Sequence, residues 1–175
     1  FFAPQDIPGY RKPASATARP FKIVHVTNHP GIEGTSAIST AIENLRAKGF
    51  DIEFLFLSGK PHDEVLRAFA DADLTIGKLK MGHYANAQIE SMALGVPAVT
   101  YVRPEFMTPE LKDSGFIFTE LDKLESILEY YIGHPPQLQE KRAKARASIL
   151  RLHDNAAILQ RLKYCYKELT GENNK

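Results

Sequence analysis

Residues 82–102 read GHYANAQIESMALGVPAVTYV. A glycine-containing turn leads into a stretch of good helix formers, Gly95 stands where a helix would stop, and Val96-Pro97 passes straight into the β-branched run AVTYV. A left-handed C-terminal glycine followed by a short apolar strand is the second half of a strand–helix–strand crossover. The same alternation extends upstream. FKIVHV (21–26) predicts a buried strand, and TSAISTAIENLRAKG (35–49) a helix with Ile38, Ile42 and Leu45 on one face. That helix has Thr35 or Ser36 as N-cap and Gly49 just past its end. DIEFLFLSG (51–59) predicts a second strand and PHDEVLRAFADA (61–72) a helix, with Pro61 at its start and Asp63 and Glu64 in its first turn. DLTIG (73–77) predicts a third strand, VPAVTYV (96–102) a fourth and GFIFT (115–119) a fifth. A last amphipathic helix follows over TELDKLESILEYYIG (119–133).

Strands alternating with helices through short connections predict an α/β fold: a Rossmann-like three-layer domain with a mostly parallel sheet. In such sheets ligands bind beyond the carboxyl ends of the strands. Those ends are the loops at 27–34, 58–62, 77–84 and 101–106.

Composition narrows the function classes. The chain has 175 residues, 43% hydrophobic and 25% charged, which is the composition of a folded domain rather than a disordered segment. No run of 18 apolar residues appears, so no transmembrane segment is predicted. A net charge of +1 gives no basis for a nucleic-acid partner. The single cysteine, Cys165, excludes an internal disulfide. It lies on a helix face with packing residues, which predicts a core position.

Three segments follow. Residues 1–20 carry Pro4, Pro8, Pro13 and Pro20 and few large apolar side chains, the composition of a linker or N-terminal extension. Residues 21–134 form the Rossmann-like domain. Residues 135–175 predict two helices packed on that domain, one with Leu138, Ala145, Ile149 and Leu152 on a face, the other with Ile158, Leu162, Cys165 and Leu169. Residues 134–175 hold nine Lys or Arg against four Asp or Glu. The bases point around the helix in several directions, which favours a solvated face over a membrane-facing patch.

Two stretches carry candidate chemistry. In TNHPGIEGTS (27–36), Gly31 and Gly34 allow close backbone approach and Thr35 opens a helix. The glycine spacing fits neither a dinucleotide fingerprint nor a P-loop, so by itself this is an ordinary strand–helix turn. In 82–102, His83, Asn86 and Glu90 fall at i, i+3 and i+7, a polar stripe on the predicted helix. A carboxylate there can accept both hydroxyls of a ribose. His29, His62 and His83 fall in crevice loops, where an imidazole can donate to a phosphate or sugar hydroxyl; His25 lies within a strand and predicts a satisfied core histidine. No metal-ligand spacing is present, and Asp71 and Asp73 at the start of strand three predict solvated or capping roles.

The stretch IEGTSAISTAIENLRAKG, then LSGKPHDEVLRAFADADLTIG, then GHYANAQIESMALGVPAVTYV resembles the C-terminal, nucleotide-sugar-binding domain of GT-B glycosyltransferases, in particular the large retaining family four. ESMALGVPAV is the most specific segment, similar to that family's E-A-M-A-x-G-x-P-V-V run. The closing LHDNAAILQRLKYCYKEL resembles the family's terminal helices. The resemblance implies that Glu90 is the second acid of the family's E-x7-E signature, the one that holds the donor ribose. The first acid falls on Gly82. The family's basic pair, which neutralises the donor diphosphate, falls on Asn28 and Glu33, so both positive charges are missing here. Donor-binding residues on this basis are Asn28, Glu33, Gly34, Thr35, His62, Gly82, His83, Tyr84, Asn86 and Glu90, and no residue is assigned a catalytic role.

The resemblance further implies a UDP- or GDP-linked sugar as substrate, with no other cofactor and no metal. It implies a glycan or glycoconjugate acceptor held by a missing N-terminal domain, and a hexosyltransferase inactive as this isolated half. The first twenty residues then become the interdomain linker. Polysaccharide biosynthesis in the cytoplasm, with peripheral contact at the inner membrane face left open, is the implied setting. Two alternatives stand beside it. One is a catalytically idle glycosyltransferase-like nucleotide-binding module, favoured by the lost basic pair. The other is an unrelated α/β dinucleotide-binding or receiver domain, disfavoured by the missing glycine fingerprint and the missing acidic cluster after strand one.

Overall fold

A computed structural model describes residues 19–171. The linker assigned to residues 1–20 therefore lies outside the described residues, except for Arg19 and Pro20. Five strands form one sheet in the order β2-β1-β3-β4-β5, all parallel. They are β1 (Phe21–Val26), β2 (Ile52–Leu57), β3 (Leu74–Ile76), β4 (Ala98–Thr100) and β5 (Ile117–Phe118). Between them run α1 (Pro30–Glu33), α2 (Thr35–Ala47), α3 (His62–Asp71), α4 (Asn86–Ala93) and α5 (Pro109–Lys112); α6 (Leu124–Gly133), α7 (Pro135–His153) and α8 (Asn155–Thr170) follow β5.

Alternation along the strands sorts side chains to two faces. Ile23, Leu74 and Ile76 pack with Ile38, Ile42 and Leu45 of α2 and with Leu124 and Leu128 of α6. On the opposite face Val24 and Ala98 pack with Val65 and Phe69 of α3, Met92 of α4, and Ala145, Ile149 and Leu152 of α7. Full burial of each large apolar side chain contributes about 1.5–3 kcal/mol. Thr75, pointing to the α4 face, satisfies its hydroxyl on Ser91 Oγ at 2.9 Å. The strand order places α2 on one face and α3 and α4 on the other, with the reversal between β1 and β3. That is the switch point, where the loops after β1 and β3 part to opposite faces and leave a crevice.

Several local expectations change. Thr35 does not cap α2: α1 ends at Gly34, whose φ of +100° sets the bend, and Thr35 is the first residue of α2, its hydroxyl bonded to His25. The helix predicted from His83 begins at Asn86, because Gly82 turns at φ +79° and Ala85 is extended. Gln88, buried under the turn, accepts the Ala85 N–H on its side-chain oxygen at 2.6 Å. Asp73 is neither solvated nor a cap. Its carboxylate accepts the Arg19 guanidinium at 2.6 Å and the Lys22 N–H at 2.9 Å, and its carbonyl accepts Arg142 at 2.8 Å. Cys165 is exposed, not core, and Ile158, Leu162 and Leu169 share that exposure on α8, whereas Leu138, Ala145, Ile149 and Leu152 of α7 are buried. The difference is connection: α7 lies across α4 and α6, while α8 turns off at Asp154 and meets only α7 among the elements it packs on closely.

Candidate functional site at the switch point

The crevice is built from two loops that meet edge to edge. After β1, Thr27 turns the chain by accepting the His29 N–H at 2.8 Å on its hydroxyl, and α1 lifts Glu33 into the gap. After β3, Gly77 passes directly under Gln88. A Cβ at Gly77 would lie 1.9 Å from Gln88 Nε2, so only glycine lets the strand leave the sheet there. Lys78 follows, its carbonyl accepting from Tyr101 N–H and the Thr100 hydroxyl, each at 3.2 Å. The two loops are joined by charge: Glu33 is 4% exposed, and its Oε1 receives Lys78 Nζ at 3.0 Å.

Behind the first loop sits His25, fully buried. Ile76 O lies 2.8 Å from Nδ1, and a carbonyl can only accept, so Nδ1 carries the proton and Nε2 accepts from the Thr35 hydroxyl at 2.9 Å. Burial pushes its pKa down, with the carbonyl and Glu33 opposing. The imidazole is therefore neutral and structural, as expected for a core histidine.

On the other face, Glu90 sits one turn into α4, half-buried. The His62 ring, at the start of α3, places Nε2 3.0 Å from Glu90 Oε1. Glu90 Oε2 has no hydrogen-bond partner among the described residues. Asn86, one turn earlier on the same side of α4, is exposed. Asn28 accepts the Gly59 N–H at 3.0 Å, tying the loop after β1 to the loop after β2.

The structure thus gathers Asn28, Glu33, Gly34, Thr35, His62, Gly82, Asn86 and Glu90 at the carboxyl ends of the strands. It does not gather all of the candidates. His83 lies in the turn before α4, exposed, stacked on Tyr84 and edge-on to Phe106. Tyr84 turns toward α7: its hydroxyl lies 2.8 Å from His153 Nε2 and its ring packs on Phe116. Burial raises the Tyr84 pKa and lowers that of His153, so the phenol donates to a neutral imidazole.

Residues outside the predicted set also stand at the crevice. Besides Lys78, Lys80 and Arg103 lie on its rim. Lys80 stands two residues before Gly82 in LKMG, but Arg103 lies 21 residues beyond Gly82, and no motif joins the two. Among the described residues no cluster of three or more His, Cys, Asp or Glu side chains is placed to hold a metal, and no helix is long and apolar enough to cross a membrane.

No protein-family model and no curated protein sequence matches this chain. Solved structures do. HepE from Anabaena, in complex with UDP-glucose, superposes with a TM-score of 0.62 at 15% identity, over 86% of this chain and 50% of HepE. TarM from S. aureus, in a complex that includes UDP, superposes with a TM-score of 0.63 at 13% identity, over 89% of this chain and 38% of TarM. The catalytic domain of the cholesterol-α-glucosyltransferase from Helicobacter pylori gives 0.52 at 15% identity, over 77% of this chain and 99% of that one. The chain spans half of HepE and less than half of TarM.

Proposed function

We propose that this chain, whose fold is that of the C-terminal domain of a GT-B glycosyltransferase, is the part of such an enzyme that holds a nucleoside diphosphate sugar. The observation that carries the proposal is the half-buried Glu90 carboxylate on α4, held by His62 through one oxygen, with no hydrogen-bond partner for its other oxygen among the described residues, at the edge of the switch-point crevice. A carboxylate accepts from both hydroxyls of a vicinal diol, and its position at the carboxyl end of the sheet is where this topology binds ligands. Two of the similar structures hold UDP or UDP-glucose, which supports the same ligand class here.

In the transfer itself, the bond from the anomeric carbon to the diphosphate breaks, and its electron pair stays on the phosphate oxygen. The anomeric carbon joins an acceptor hydroxyl, which loses its proton. The share of this domain is to bind the nucleotide and stabilise the departing diphosphate. A second domain, facing the carboxyl ends of β1–β4, would supply the acceptor, a glycan or glycoconjugate. The transferred group is a hexose, the setting is polysaccharide biosynthesis on the cytoplasmic side, and this half alone turns nothing over. The domain division goes with this proposal: residues 1–20 link the halves, 21–134 bind the donor, and 135–175 form its C-terminal helices.

Asn28 and Glu33 occupy the positions where the resemblance demands positive charge, and Glu33 brings an acid instead. That favours an idle nucleotide-binding module.

Calorimetric titration with UDP-glucose and GDP-mannose tests the binding claim. Glu90→Ala should weaken the bound nucleotide sugar about tenfold or more, as expected for losing hydrogen bonds to a charged group. Equal affinity in wild type and variant would remove Glu90 from the site. Sugar transfer by the full two-domain enzyme separates the active from the idle interpretation.

A further inference from the structure

The loop after β1 offers the crevice no net positive charge, and its acid is already neutralised by Lys78. Two other bases, Lys80 and Arg103, stand on the same rim. Lys80 and Arg103 have no ion-pair or side-chain hydrogen-bond partner among the described residues, and both are exposed. Their placement is not that of wandering surface chains. The Lys80 stem runs past the N-terminus of α2: a Cβ on Gly34 would lie 3.8 Å from Lys80 Cγ. Arg103 follows β4 and packs over Gly82 in the loop after β3. A Cβ on Gly82 would come within 2.5 Å of its Nε, and its backbone N–H donates to the Gly82 carbonyl at 3.0 Å. Gly82 thus occupies the position of the missing first acid and also makes room for a guanidinium. One base is delivered from β3 and one from β4, within two residues of each other through Gly82.

We propose that Lys80 and Arg103 form the diphosphate site of this domain, replacing the basic pair lost at Asn28 and Glu33. The inference rests on the donor-binding proposal above. A planar guanidinium pairs with two phosphate oxygens at once, and an ammonium adds a compact charge to a third. Both groups are solvated when the crevice is open, so their attraction is screened; it strengthens when a bound nucleotide covers them. Lys78 takes no direct part, since Glu33 holds it.

The test is isothermal titration of the whole chain with UDP and with uridine, and in parallel with GDP and guanosine. The wild type should prefer the diphosphate to its nucleoside by about tenfold or more, a charge-assisted contribution. In Lys80→Ala/Arg103→Ala that preference should fall to about threefold or less, with nucleoside affinity unchanged. Arg103 packs on Gly82, so thermal unfolding of the variant is recorded beside the titration, and an unchanged nucleoside affinity separates loss of the phosphate contacts from loss of fold. A double variant that keeps the full preference overturns this inference and leaves the donor-binding proposal standing. A wild-type chain that binds none of the four compounds overturns both.

Discussion

The two loops that face each other across the switch point are built in opposite ways. The loop after β1 is open: His29, Pro30, Gly31 and Ile32 are exposed, and a Cβ on Gly31 would meet nothing within 4 Å. The loop after β3 is packed. Gly77 runs beneath Gln88, Leu79 is buried, the Lys78 carbonyl is held from β4, and Gly82 lies under Arg103. Polar groups that meet a ligand need fixed positions: the second loop fixes them by packing, whereas the first holds Thr27, Asn28 and Glu33 by hydrogen bonds and an ion pair. The bases of the crevice therefore stand on the loop after β3 and on the segment from β4 that covers it, while the loop after β1 supplies a buried acid that joins the two.

Paired glycine substitutions test this contrast most strongly. Gly77→Ala should displace Gln88 and with it the hydrogen bond to the Ala85 N–H, costing about 2–3 kcal/mol in urea unfolding. Gly31→Ala should stay within about 0.5 kcal/mol. Equal costs would break the contrast. Glu33→Ala comes next. It strips the counter-charge from Lys78 and should cost about 1–2 kcal/mol, because the acid is buried and the lysine only partly so. The same variant frees Lys78 and removes a negative charge from the crevice, so affinity for UDP should rise severalfold while stability falls. A loss of both would mean that Glu33 itself contacts the ligand.

The pH dependence of stability is the smallest expected effect. Burial holds the His25 pKa below 6.5, so the folded chain resists protonation that the unfolded chain accepts. The contribution is complete above pH 6.5 and is lost as pH falls from there toward the depressed folded value. His153 is shifted in the same direction, chiefly by burial. Urea midpoints should decline on acidification through that window, and His25→Gln should flatten part of the slope. An unchanged slope would place the titration elsewhere.

Much of the fold is legible in the residues because it rests on local pattern. FKIVHV, the helix faces of α2 and α7, and the turn–helix–strand of 82–102 each carry their own period and punctuation. What fails is decided by long-range contact. Cys165 and Leu169 have a helical period as regular as that of Ile149 and Leu152, yet nothing in that period says whether another element arrives to cover them. His83 falls off the helix because Gln88 caps Ala85 and shortens α4. Of the crevice, Glu90 is visible through its motif, but its partner His62 lies 28 residues away and the Glu33–Lys78 pair is 45 apart in sequence. Lys80 and Arg103 belong to no motif, and only the folding of the chain after β4 over Gly82 brings Arg103 onto the loop that carries Lys80.

Donor binding at the switch point is tested by the backbone amide NMR spectrum of this chain, recorded with and without UDP-glucose. Shifts should concentrate in residues 33–36, 77–90 and 101–104, with the amides of α8 unmoved. Shifts confined to α7 and α8, or a spectrum that does not change at saturating ligand, would contradict it.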